Sequence, residues 1–152
     1  MNPEEIIEQE IKHGTNCKTI VLLACASAKI AVMASAKEES LLADLLRTMW
    51  DELHDRAEGD RFLDLVKIVE RVAGTTRWAP AKWFTAHSVL QAAKAVDLMN
   101  GDLVIDHRLF YSCVQRAVRL ARIGIDPLIS VDGDAQLVAR MNEILQRERK
   151  AA

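Results

Sequence analysis

From Ile20 to Ala36 the chain carries one charge, Lys29. Within that run Ala24, Ala28, Ala31 and Ser35 recur at intervals of four, three and four residues, so a helix places them all on one face. Leu22, Ile30 and Met33 fall on the opposite side, and only a narrow line through Lys18 and Lys29 is charged. A helix apolar on nearly every side has to be surrounded by other structure. The run is short of the roughly 20 residues a membrane span needs, and it is rich in Ala and Ser rather than Leu. It therefore reads as the central helix of a bundle, with no membrane partner. Its small face lets another helix backbone approach closely. That neighbour is a helix of the same chain, or the same helix of a second subunit in a homodimer.

The rest of the chain fits around such a centre. The 152 residues suit one domain, 1–152, and half of them are apolar, enough for a core without staples. The fold class expected is all-α, a bundle of six or seven helices with almost no strand. Asn2 caps a first helix from Pro3 to about His13, whose acidic first turn suits the helix dipole. The second runs from about Thr15 to Ala36, and Ser35 and Glu38 have capping-box spacing for a third. Leu41, Leu42, Leu45, Leu46, Met49, Trp50 and Leu53 give that third helix one apolar stripe. A fourth spans about Asp60 to Ala73 and a fifth Pro80 to Asn100. The sixth starts at Asp106, a cap. The seventh starts near Asp134, with a basic tail expected to fray from about residue 147. Gly14, Gly59, Gly74, Gly101 and Gly124 each come near the end of a pattern, where a left-handed residue closes a helix. Two apolar runs, Leu103-Val104-Ile105 and Leu128-Ile129-Ser130-Val131, read as loop segments against the core, with a two-stranded ribbon as the alternative.

Three cysteines, Cys17, Cys25 and Cys113, form no C-x-x-C and leave an odd count, which argues for a reducing compartment. With an acidic N-terminus in place of a signal-type basic one, the expected location is the cytoplasm. No Gly-rich phosphate loop, H-E-x-x-H, EF-hand loop or G-x-S-x-G is present, so no cofactor is expected and several common enzyme classes are disfavoured.

Asp51-Glu52-Leu53-His54-Asp55 places a His-Asp pair at the end of a helix. Over those two adjacent residues the chain resembles the metal-dependent HD-domain phosphohydrolases. The resemblance implies a metal-activated water, with His13, His87 and Asp97 as the loose candidates for further ligands. Helix phase argues against it: with Leu45, Met49, Trp50 and Leu53 inward, Asp51, His54 and Asp55 point outward.

Two surfaces remain as candidate contacts. Residues 1–60 hold 6 basic and 12 acidic residues, and residues 61–152 hold 14 and 10. Arg108, Arg116, Arg119 and Arg122 share one face of the sixth helix. A nucleic-acid surface needs such a stripe but gains from interleaved aromatics, which this one lacks. It reads instead as a solvated face answered by acidic residues of the N-terminal half, and nucleic acid is disfavoured as a partner. The second surface is Arg77-Trp78-Ala79-Pro80-Ala81-Lys82-Trp83-Phe84, which holds three of the seven aromatics. Trp and Arg dominate binding hot spots. Arg77, Trp78, Lys82, Trp83 and Phe84 are the candidate partner-binding residues, and Phe84, sharing a sector with Ser88 and Gln91, is the one expected to be exposed. The leading functional expectation is an interaction or regulatory protein that binds another protein or itself; the alternatives are a metal-dependent hydrolase and nucleic-acid binding through the sixth helix.

Overall fold

In the computed structural model, which describes residues 1–55, 60–101, 105–125 and 131–151, seven α-helices account for most of the described residues, and no strand occurs among them. They are α1 (Pro3–Lys12), α2 (Cys17–Ser35), α3 (Ser40–Leu53), α4 (Arg61–Thr75), α5 (Pro80–Gly101), α6 (His107–Ile125) and α7 (Val131–Ala151). The all-α bundle read from the sequence is the fold.

Local chemistry explains the early boundaries. The Asn2 side chain accepts a hydrogen bond from the Glu5 amide at 2.9 Å, and Pro3 opens α1, where a missing N–H is harmless. Gly14 has φ +72° and turns the chain out of α1. Asn16 then caps α2 by accepting from Thr19 N at 2.8 Å. Asp106 caps α6 through Leu109 N at 3.1 Å.

The centre is α2 against α5 and α6, and α5 and α6 pack along most of their lengths. Ala24, Ala28 and Ala31 of α2 are fully buried within the chain, as are Ala86, Ala92, Ala93 and Ala95 of α5 and Ala117 and Ala121 of α6. The small face of α2 is thus filled intramolecularly. Side chains this short let hydroxyls cross between helices. Ser35 and Thr85 hydroxyls meet at 2.6 Å, and Ser88 Oγ donates to the Ala117 carbonyl oxygen at 2.6 Å. Larger residues complete the core around this contact: Ile7, Leu23, Leu42, Leu45, Met49, Phe110, Leu137 and Met141.

Several expectations are corrected. Among the described residues Gly14 is the one glycine with positive φ. Gly74 lies inside α4 with open space around it, and Gly101 is the last residue of α5. Gly124 lies inside α6 against Thr85, so it serves close packing and not termination. Gly59 lies outside the described residues. Ser35 and Glu38 form no capping box: α3 starts later, at Ser40, and the Ser35 hydroxyl is engaged with Ala31 and Thr85. Helix α7 begins at Val131, earlier than expected, and runs to Ala151. Trp50 sits off the buried stripe of α3 and is 40% exposed, while Met33 on α2 is 56% exposed. Of the two apolar runs, Ile105 packs half-buried against the core and Val131 opens α7; residues 103–104 and 128–130 lie outside the described residues.

Candidate functional site

The residues from Arg77 to Phe84 span the link between α4 and α5 and the first turn of α5. They split into two groups because successive helix positions are turned by about 100°. One group faces the start of α3. Lys82 Nζ lies 2.7 Å from Glu38 and 2.6 Å from Glu39, and 5.6 Å from the centre of the Trp78 ring. Hydrogen bonds from Lys82 to Glu38 and then to Glu39 hold the ammonium above its ordinary pKa, and the same bond to Lys82 lowers that of Glu38. Trp78 packs half-buried on the core. Lys82 and Trp78 therefore tie α5 to the α2–α3 link. Arg77 is exposed and without an ion pair among the described residues.

The second group faces outward. Trp83 is 40% exposed. Its ring packs on His87 at a 38° tilt with centroids 4.0 Å apart and meets the Phe84 ring edge-on at 5.1 Å. The expectation that Phe84 is the exposed ring is wrong: Phe84 is half-buried and Trp83 projects. Buried Thr85, Ser88 and Ala92 mark the side of α5 that meets α2 and α6. Phe84 lies at the flank of that side, and Trp83 lies one step further out.

His87 is half-buried, and its protonated form loses solvation there, so its pKa is lowered. A hydrogen-bond partner is the ordinary expectation for such a histidine. Among the described residues it has none, and the Trp83 ring covers it instead. One turn further along, Gln91 Oε1 is buried with no hydrogen-bond partner among the described residues. The unfolded chain binds a proton at His87 more readily than the folded one, so stability falls as pH drops through about 6.5 towards the folded pKa. Thermal melts at pH 7.5 and 5.5 should show a smaller acid loss for His87→Gln than for the unsubstituted protein. An equal loss would place the titration elsewhere.

The arginine stripe on α6 is divided. Arg122 makes two 2.8 Å hydrogen bonds to the Asp134 carboxylate and pairs with Glu4, which also accepts from Arg119 Nε at 2.8 Å. The hydrogen bond to Asp134 leads the effects that raise the Arg122 pKa. Acidic residues thus answer two of the four arginines, one of them from the N-terminal half. Arg108 and Arg116 are exposed and unpaired among the described residues.

The His-Asp pair has a local role. His54 caps the C-terminus of α3, its Nδ1 lies 2.8 Å from the Trp50 carbonyl oxygen, and its ring stacks on Trp50 at 4.4 Å. Asp55 turns the chain with φ 55°. His13 Nδ1 is likewise bonded to the Gln9 carbonyl oxygen, His87 is under Trp83, and Asp97 is exposed on α5. These groups lie apart, and no cluster of three His, Cys, Asp or Glu side chains placed to hold a metal occurs among the described residues.

The cysteines are free thiols. Burial pushes Cys25 up to about 12 and raises Cys17. It also raises Cys113, although Lys94 and Arg116 pull that thiol downward. A thiol held protonated is a poor nucleophile.

A cavity of about 570 Å³ lies between α1, the α1–α2 turn and α7, lined by Gln9, Glu10, His13, Thr15 and Arg149. Sequence reasoning missed it, because Glu10 and Arg149 are 139 positions apart. The Glu10 carboxylate is nearly buried and accepts from Thr15 Oγ1 and Arg149, both at 2.7 Å. Its charge is neutralised within the chain, and it clamps α1 to α7.

The chain matches no protein-family model, no curated protein and no solved structure.

Proposed function

We propose that this is a small interaction protein that works by binding another protein, a second copy of itself included, through the outward face of α5 around Trp83. The observation that carries the reading is the posture of Trp83: a large ring 40% exposed, yet held between His87 and Phe84. A ring already fixed by its neighbours loses little conformational freedom when a partner covers it, which is how aromatic anchors contribute most to binding. Arg77 extends this surface and Phe84 braces it edge-on, whereas Trp78 and Lys82 face the start of α3. Free thiols favour a reducing compartment, and the cytoplasm is the proposed location. Helix α2 is long and apolar enough to cross a membrane, but 61% of that stretch is buried by the chain's own helices, which favours a bundle core over a span.

The hydrolase and nucleic-acid alternatives have less behind them. Each histidine candidate is engaged locally, and half of the arginine stripe is paired within the chain. Trp83→Ala should lower stability by about 1–3 kcal/mol, because the ring is 40% exposed and the rest packs on Phe84 and His87. The same substitution should lower association at least about tenfold, as loss of a hot-spot aromatic does. Sedimentation reads self-association, and quantitative affinity capture from cells expressing the protein reads other partners. A variant that loses stability while association persists would make Trp83 a structural residue and remove the proposal.

A further inference from the structure

Trp83, His87 and Gln91 stand four residues apart, one above another along the outward side of α5. Their polar groups are unusually free. Among the described residues neither ring nitrogen of His87 is hydrogen-bonded. Gln91 Oε1 is out of reach of solvent and without a donor. Three residues beyond Gln91 comes Lys94, and across the α5–α6 contact comes Arg116, both exposed. Both act on the single thiol of Cys113, which puts them in one neighbourhood. Lys82, Arg119 and Arg122 meet carboxylates of their own chain, but Lys94 and Arg116 meet none among the described residues.

From this juxtaposition we infer that the outward face of α5, with Arg116 at its edge, receives an acidic peptide segment bearing an apolar anchor. The anchor lies on Trp83, and the peptide's carboxylates pair with Lys94 and Arg116. The inference rests on the reading of Trp83 as a contact surface and adds the chemistry of what is bound.

A displayed library of random twelve-residue peptides, panned in parallel on the full chain and on Trp83→Ala, tests it. The expected result is enrichment, on the unsubstituted protein only, of peptides combining Asp or Glu with an aliphatic or aromatic residue. A synthetic peptide of the enriched sequence should bind Lys94→Glu/Arg116→Glu at least about tenfold more weakly. It should bind Gln91→Leu with unchanged affinity, because the fold covers Oε1. Gln91→Leu should fold at least as well as the parent, since it replaces the orphaned oxygen with apolar surface. Peptides that depend on Trp83 but lack acidic residues, or that ignore the charge reversal, overturn the acidic assignment and leave the Trp83 surface standing. No enrichment over Trp83→Ala overturns both. Retention of a random single-stranded oligonucleotide pool through Trp83 and Arg116, in place of peptides, also overturns the inference.

Discussion

Gly124→Ala should destabilise the protein by about 2 kcal/mol, although an alanine inside a helix is ordinarily an improvement of up to about 1 kcal/mol. A Cβ at Gly124 would fall far inside van der Waals contact of Thr85 Oγ1, and would lie 3.2 Å from Thr85 N and 3.3 Å from the Ala81 carbonyl oxygen. Two of those three atoms are backbone, so rotating a side chain gives only partial relief. Moving Thr85 Oγ1 also breaks its 2.6 Å bond to Ser35, so the strain reaches α2. The expected relation to Thr85→Ala is non-additive. The double variant should be more stable than the sum of the single changes predicts, by about 1 kcal/mol or more. Chemical denaturation measures all three variants. Strict additivity would mean that α5 and α6 do not touch at this point.

Arg122→Met should cost about 2–3 kcal/mol, less than for a fully buried pair because its partners keep some solvent. The Arg122 side chain is 12% exposed, and it joins Glu4 of α1 to Asp134 of α7 across α6. Methionine fills much of the same volume, so the loss is one of charge. It leaves Asp134 without its cation, near a Glu4 that keeps only Arg119. Asp134→Asn in the Arg122→Met background should recover part of the stability by removing that unpaired charge. If the single variant unfolds at the same denaturant concentration as the parent, Arg122 is solvated in solution and the α1–α6–α7 junction is held by apolar contact alone.

What could be read from the sequence, and what could not, follows from the range of the interactions involved. Asn2 and Asp106 act within three residues, so their caps are visible in the order of residues. The central role of α2 is visible because a nearly chargeless run of helical length has no stable place at a surface. Gly124 was placed correctly, one residue before the end of α6, but its role was misread, because a glycine that closes a helix and one that admits a neighbour look alike until the neighbour is known. Trp83 and Phe84 were exchanged for a related reason. They differ by one helical step, and which of them is covered depends on where α6 lies against α5. Trp50 likewise sits at the margin of an apolar stripe whose width only the neighbouring helices define. The orphaned oxygen of Gln91 was invisible, since it records what fails to reach it. Glu4 and Arg122, 118 positions apart, could be anticipated only as opposite charges in different halves of the chain.

The position of α2 in the chain has a consequence for its synthesis. The helix ends at Ser35, but α5 begins only at Pro80 and α6 is complete only at Ile125. At typical rates of chain elongation, an apolar segment long enough to span a membrane waits roughly 5–20 s for the two helices that will cover it. During that interval Leu22, Leu23 and Val32 have no permanent partner among the residues yet made beyond α1 and α3. The nascent chain therefore presents to chaperones and to the insertion machinery a surface that the finished protein hides.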